Sequence, residues 1–126
     1  MPIISKTDND NKLVYTTCTG LMSEDDFKLY VADVWGDLRH FGFNELFDTR
    51  QANWELFDFG YLLNVAKNAS TLTTIDYNSK LAWVVEDGKQ KKLTDFYKSA
   101  KSLLPVNSRH LQAFYSEAEA LDWLKN

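Results

Sequence analysis

The chain is poor in the residues that build disulfides and metal centres. Among its 126 residues there are one cysteine, Cys18, and two histidines, His40 and His110. A single cysteine cannot form an internal disulfide, which is typical of proteins from a reducing compartment. These three residues also fall short of the four Cys and His ligands of a structural zinc site. We therefore expect neither a structural disulfide nor a bound metal.

The chain also lacks the glycine-rich runs that bind phosphate groups. It has only five glycines, and neither a GxGxxG run nor a GKS or GKT run occurs. Nucleotide sites of the usual kinds need such glycines because backbone amides must approach the phosphates closely. Neither histidine lies in a sequence context that suggests a base for Cys18 as a nucleophile. The sequence predicts no cofactor and no catalytic residue.

Basic excess and long apolar runs are missing as well. The net charge of −4 argues against nucleic acid as a partner. No apolar run approaches the roughly 20 residues that span a bilayer, so we expect no integral membrane segment. The start, MPIISKTDND, lacks the basic region and apolar stretch of a signal peptide. We expect one cytoplasmic domain over residues 1–126.

What the chain does contain is an alternation of strand and helix patterns. The runs PIIS and KLVYTTCT flank a turn-forming cluster at 8–11 and predict a hairpin. Ser23, three residues before Asp26, opens an amphipathic helix predicted over 23–40. The remaining predicted elements are a strand at 44–49, a helix at about 57–69, the strand KLAWVVE, a helix from Thr94 to before Pro105, the strand RHLQAFY and a helix capped by Ser116.

This order predicts an α/β fold. Alternating strands and helices indicate right-handed crossovers and a mainly parallel sheet. We expect about five strands, an N-terminal β-hairpin and four helices. Because KLAWVVE is apolar on both sides, it is predicted to be a central strand.

Several stretches together resemble a known family. They are VYTTCTG, the acid-capped helix after it, FDTR, AWVV and the C-terminal FYSEAEALDWL. In this order they resemble the SpoIIAA-like branch of the STAS superfamily over nearly the whole chain, most specifically at Asp48-x-Arg50 and at 119–124. The resemblance implies a STAS-like β-α superhelix, related in fold to anti-sigma-factor antagonists and CRAL–TRIO lipid carriers. Its members mostly act by binding.

One departure from that family affects the expected function. Phosphoswitch antagonists of the superfamily carry an Asp-Ser pair at the start of the helix after the third strand. The corresponding stretch here, QANWELFDFG, contains no Ser or Thr. Asp58 can cap the helix, but nothing at the cap can accept a phosphate. We therefore expect no Ser/Thr phosphoswitch.

Asp48 and Arg50 are the first candidate contact residues. They lie at the carboxyl end of a predicted parallel strand, where open α/β sheets bind ligands. Arg50 could contact an anion or polar ligand while Asp48 orients it. Alternatively, the two form a structural ion pair that ties down the strand end. Side chains two apart on a strand share a face, so both interpretations pair them, and we favour the structural one.

Tryptophans are the second candidate. Trp83, in the middle of a strand, is expected to pack in the core. Trp54 follows Asp48-x-Arg50 in a predicted loop, and we predict that it is exposed and contacts a ligand or partner. The basic loop Lys89, Lys91 and Lys92 is expected to be solvated surface, although an acidic partner could use it.

These observations favour a non-enzymatic binding or regulatory domain that acts through protein–protein contacts. The alternative is a small-molecule or lipid-binding module with an apolar cleft near the Asp48 and Arg50 strand end; a small hydrolase lacks a credible nucleophile. We also predict a homodimer. Helices of sequential β-α units lie mainly on one face of the sheet, and the hairpin is too short to cover the other. Trp35 and Trp54 add aromatic residues of the kind enriched at interfaces.

Overall fold

A computed structural model describes residues 2–35, 37, 39, 42–55, 79–86, 95 and 110–126. In these residues, five strands form one sheet in the order of the chain, with β1 antiparallel to β2 and the other neighbours parallel. The strands are β1 Ile3–Asp8, β2 Leu13–Leu21, β3 Asn44–Asn53, β4 Lys80–Val84 and β5 His110–Phe114. This confirms the predicted α/β fold, hairpin and mainly parallel sheet.

The described residues contain two α-helices, and each begins at a predicted serine cap. Helix α1 is Glu24–Tyr30 and continues as a π-helical turn, Val31–Trp35. Helix α2 is Glu117–Lys125. The Ser23 and Ser116 side chains accept hydrogen bonds from backbone amides three residues later, which stabilises the first turns. The predicted helices at about 57–69 and before Pro105 lie outside the described residues, Asp95 apart, so only two of four predicted helices are seen.

The first face of the sheet packs under α1 and is rich in aromatic side chains. Phe47 on β3 lies at its centre, with its ring centroid 5.2 Å from that of Trp83 and 6.2 Å from that of Phe27. Such tilted and edge-on contacts are the favoured geometry of aromatic pairs. The buried residues of this cluster are Cys18, Met22, Phe27, Tyr30, Trp35, Phe47, Ala52, Trp54, Leu81, Trp83 and Leu111.

The second face of the sheet packs against α2 and is mainly aliphatic. Its buried residues are Leu13, Leu46, Ala82, Val84, Ala120 and Leu124. Strand β4 alternates between the two clusters, with Trp83 on the first face and Ala82 and Val84 on the second. The prediction of a central strand that is apolar on both sides is confirmed.

Helix α2 corrects one premise of the sequence analysis. We expected the second face of the sheet to lack a helical cover, yet α2 covers it over β3, β4 and β5. Right-handed crossovers between sequential parallel strands keep their helices on one face. Because α2 follows the last strand, it is not a crossover and can fold onto the other face. Ile4 on β1, beyond the reach of this cover, is still 52% exposed.

Candidate functional site

The structure brings Asp48 and Arg50 together as a two-pronged ion pair on β3. Arg50 Nε donates to Asp48 Oδ1 at 3.0 Å and Nη2 donates to Oδ2 at 2.8 Å. The Arg50 backbone amide donates to the same carboxylate at 3.1 Å. The Asp48 side chain is 19% exposed and that of Arg50 is 38% exposed. The pair is therefore partly solvated, and the two side chains bond to each other within three residues of one strand.

A bulge in β3 underlies this geometry. Thr17 of β2 pairs with Asp48 and Thr19 pairs with Gln51, so two residues of β3 lie opposite one of β2. The extra residue bends and twists the strand locally. The Thr49 side chain becomes buried at the bulge, where its Oγ1 donates to the Val84 carbonyl at 2.8 Å.

Neighbouring charges disfavour an anion at Arg50. Partial burial alone would raise the pKa of Asp48, but hydrogen bonds and charge from Arg50 outweigh it and hold that pKa below its ordinary value. The pKa of Arg50 is raised, first by the hydrogen bond to Asp48, with smaller contributions from Glu117 and Glu86. A ligand anion would have to compete with these carboxylates. The geometry thus favours the structural interpretation, and a ligand contact at this pair stays an untested prediction.

The prediction that Trp54 is exposed is wrong. Trp54 is only 4% exposed, and its ring lies edge-on to two neighbouring rings. Its ring centroid is 6.4 Å from that of Phe27 and 6.2 Å from that of Trp83. Strand β3 continues to Asn53, and its bulge shifts the alternation of side chains. Trp54 therefore falls on the α1 face, whereas Asp48 shares the other face with Leu46. The three predicted contact residues do not form one site.

Two other residues named from the sequence are also buried. Cys18 is fully buried, and desolvation, followed by the charges of Glu45 and Asp48, raises the pKa of its thiol. A thiol with a raised pKa carries little thiolate, the form that attacks substrates. Trp35, which we expected at an interface, is 5% exposed and belongs to the core under α1.

The sequence analysis missed a buried carboxylate, Glu45. It is 1% exposed, and its Oε2 accepts hydrogen bonds from Thr16 Oγ1 at 2.7 Å and Tyr30 Oη at 2.5 Å. Its Oε1 accepts from Trp35 Nε1 at 3.0 Å. Because Thr16 gives its only hydroxyl hydrogen to Glu45, the 2.7 Å contact between Ser5 and Thr16 has Ser5 as its donor. We call these five residues the Glu45 network.

One signal in the sequence could have revealed the Glu45 network. In the strand NELFDTR, alternation places Glu45 on the same face as Phe47, where a core strand has an apolar residue. A carboxylate at such a position needs hydrogen-bond donors. Thr16 in the neighbouring strand and Tyr30 on the helix face were available as candidates.

A groove of about 220 Å³ lies between β1 and α1. The α1 side contributes residues at helical spacing, and β1 contributes its first residues. The lining residues are Pro2, Ile3, Ser5, Asp26, Leu29, Tyr30, Asp33 and Val34. Leu29 is 60% exposed, although it is a large apolar residue beside the groove. The sequence analysis proposed none of these residues as a site.

The Glu45 network spans the base of this groove. Ser5 lines it from β1 and Tyr30 lines it from α1, and hydrogen bonds through Thr16 and Glu45 connect the two. A satisfied buried polar network rigidifies the elements that it joins. The separation between β1 and α1 is therefore held by hydrogen bonds, so the groove is formed before any partner arrives.

The described residues contain no group of three or more His, Cys, Asp or Glu side chains arranged to hold a metal ion. Nor does any helix in the described ranges have the length and apolarity to cross a membrane.

The chain has an α/β fold that is similar to the SpoIIAA-like fold. A solved structure of an uncharacterised protein of the DUF3478 family from Shewanella loihica PV-4, with a SpoIIAA-like fold, is similar to it with a TM-score of 0.58. The two are 14% identical in sequence, and the match covers 97% of this chain and 91% of that chain. No family model and no curated protein matches the chain. The resemblance inferred from the sequence is confirmed at the level of the fold.

Proposed function

We propose that this SpoIIAA-like domain is a non-enzymatic, cytoplasmic binding or regulatory protein that acts through protein–protein contacts at the groove between β1 and α1. The observation that carries the proposal is Leu29, which is 60% exposed on the rim of a preformed groove. Contiguous apolar surface rimmed by polar groups marks protein contact sites, and Leu29 continues the apolar surface that Ile3 and Val34 contribute to the same groove. Asp26 and Asp33 supply the polar groups here.

The volume of the groove supports a protein contact over a small-molecule pocket. Sites for drug-sized ligands have about 300 Å³ or more, and this groove has about 220 Å³. Its lining does not include Asp48 or Arg50, where the alternative function would place an apolar cleft. The lipid-binding or small-molecule alternative thus draws no support from this groove.

The absence of a phosphoswitch is part of the proposal. Thr49, the hydroxyl nearest to the position of the family's Asp-Ser pair, is 1% exposed and bonded to the Val84 carbonyl. A kinase cannot reach this hydroxyl without local unfolding of β3. We expect mass spectrometry of the protein from cells to find no stoichiometric phosphate on Thr49, and its detection would contradict this part of the proposal.

Self-association is a separate proposal with a weaker basis than the sequence suggested. Helix α2 covers most of the second face, which leaves Ile4 and the half-buried Tyr15 as apolar surface there. A two-fold dimer through this surface remains our expectation. Sedimentation at micromolar concentration tests it, and a constant mass near 14.6 kDa would contradict it.

Site-directed photocrosslinking tests the proposed function. A photoreactive amino acid replaces Leu29 in one variant and the exposed Gln112 of β5 in a control variant, both expressed in cells that contain the natural partners. We expect one protein to crosslink at position 29 and not at 112, and to bind the purified chain. If position 29 gives no crosslink beyond the control, the groove is not a protein contact site and the proposal is wrong.

A further inference from the structure

The outer edge of β1 carries backbone groups that point away from the sheet. Within the described ranges, β2 is the strand that pairs with β1. The Pro2 carbonyl accepts from the Thr19 amide at 2.8 Å, which makes this a hydrogen-bonded pair of the antiparallel ladder. Such pairs alternate with pairs whose amide and carbonyl groups point outward. The register therefore turns the backbone groups of Ile3 and Ser5 toward the open edge.

The same two residues direct their side chains into the groove. Ile3 packs against the core under α1, and both Ile3 and Ser5 line the groove. A strand added beside β1 would place every second side chain on the α1 side of the sheet. Those side chains would reach the groove and the helix face beyond it. The edge and the groove thus form one continuous surface.

Charge indicates what kind of segment fits this surface. The charged residues of the groove lining are Asp26 and Asp33, which lie about two helical turns apart on the same side of the helix, and both are acidic. Ile3, Leu29 and Val34 supply apolar surface between them. A complementary segment therefore carries a basic side chain near an apolar one.

We propose that an extended segment of a protein partner pairs with the outer edge of β1 as a further strand. One of its aliphatic side chains packs on Leu29, and a Lys or Arg two residues away binds Asp26 or Asp33. This is β-strand addition, in which main-chain hydrogen bonds give affinity and side chains at alternate positions give specificity. The inference rests on the proposed function, because it specifies how the partner binds.

A second copy of this chain fits the surface less well. Two-fold pairing of β1 with β1 would bring both sets of Asp26 and Asp33 to the same side of the joined sheet, where like charges repel. Lys6, the basic residue of β1, alternates with Ser5 and so points to the opposite side from the groove. The structure therefore favours a basic segment of another protein.

Backbone methylation of a bound peptide tests strand addition directly. Nine-residue random peptides displayed on phage are selected against the full chain, and the enriched peptide is synthesised. We expect a basic residue two positions from an aliphatic one. Methylation of one alternate set of its amides should weaken binding by about tenfold or more, and methylation of the other set by much less. Equal effects of the two sets, or no effect of either, would overturn the proposal.

Charge reversal on the protein tests the contact with the groove. Asp33→Lys should weaken the peptide by about tenfold because a charge-assisted hydrogen bond becomes a repulsion. Asp122→Lys on the exposed face of α2 makes the same change in net charge away from the groove and should alter binding by less than about twofold. Equal weakening by both variants would show general electrostatic attraction and overturn the assignment to the groove.

Substitution of Ser5 tests the edge without breaking the ladder to β2. Ser5→Pro removes an outward amide hydrogen, whereas Ser5→Ala keeps the amide and loses only the hydroxyl contact with Thr16. Circular dichroism confirms that each variant folds. We expect loss of peptide binding in the proline variant alone. If the proline variant does not fold, strand addition is tested by the methylated peptides alone.

These experiments separate failure of strand addition from failure of the proposed function. Crosslinking at position 29 without alternate sensitivity to methylation would keep the protein contact and overturn strand addition. Absence of both crosslinking and peptide binding would overturn both. A dimer in sedimentation that Ser5→Pro abolishes would make the occupant a second copy and overturn the proposed basic partner.

Discussion

The two faces of the sheet each carry a carboxylate of β3, but they stabilise it in different ways. The two residues, Glu45 and Asp48, are only three positions apart. Glu45 points under α1, is 1% exposed, and accepts hydrogen bonds from uncharged donors on β2, α1 and the π-helical turn. Asp48 points to the α2 face, is 19% exposed at its side chain, and is satisfied by Arg50 two residues away. The first arrangement ties distant segments together, whereas the second stabilises one strand end locally. Changes on the α1 face should therefore cost far more stability.

The largest effect is expected for Trp54→Ala, which removes a large ring from the α1 face. We expect the free energy of unfolding to fall by about 3–5 kcal/mol, because the neighbours Phe27 and Trp83 cannot fill the cavity. Urea unfolding measures the loss. Tyr115→Ala, at a residue that is 60% exposed, is the control and should cost less than about 0.5 kcal/mol. Similar small losses in both variants would restore the exposed position predicted from the sequence.

A smaller loss is expected for Glu45→Gln, which keeps the shape of the side chain. The amide nitrogen cannot accept, so at least one of the hydrogen bonds that Thr16, Tyr30 and Trp35 donate to residue 45 is lost. We expect a destabilisation of about 2–3 kcal/mol, again in urea unfolding.

The exposed Glu55→Gln is the matched control for Glu45→Gln and should change stability by less than about 0.5 kcal/mol. If the two glutamine variants are equally stable, the Glu45 network contributes nothing to the difference between the faces.

The Asp48 and Arg50 pair should show a coupling of about 1 kcal/mol in a double-mutant cycle of alanine variants. This is less than the few kcal/mol expected for a buried pair, because solvent screens the half-exposed guanidinium. The chain supplies a matched pair, Asp37 and Arg39, with the same spacing, two-pronged bonding and aspartate exposure but an Arg side chain that is 88% exposed. Its coupling should be smaller. Equal coupling in both cycles would mean that partial burial of the Arg50 side chain has no effect.

The smallest effect is the pH dependence of the same pair. The folded protein holds the pKa of Asp48 below the ordinary value of 3.8. A group with a lowered pKa contributes stability above its unfolded pKa and loses it as the pH falls through the folded one. The difference in stability between the wild type and Asp48→Asn should therefore be constant above about pH 5 and shrink below 3.8. A difference that grows on acidification would contradict the sign of the shift.

Patterns between near neighbours in the sequence predicted most of the visible fold. The hairpin, the serine caps at Ser23 and Ser116 and the two-sided strand β4 all follow from local propensity and alternation. The spacing of Asp48 and Arg50 likewise predicted their pairing. Each of these signals lies within one or two elements.

The errors come from effects that join distant positions. Trp54 was misplaced because a bulge, which depends on pairing with β2, shifts the alternation of β3. Glu45 was overlooked because its donors lie 29, 15 and 10 positions away. The groove requires β1 beside α1, and neither segment alone indicates it. These features depend on tertiary contacts, which periodicity does not encode.

The position of α2 also has a consequence for synthesis of the chain. Because the strands are arranged in chain order, the sheet can grow one strand at a time as the polypeptide leaves the ribosome. Yet Leu46, Ala82 and Val84 remain open to water until 117–125 have been translated. The nascent chain therefore exposes an aliphatic surface from the translation of β3 until α2 has folded onto it, and chaperones protect surfaces of this kind.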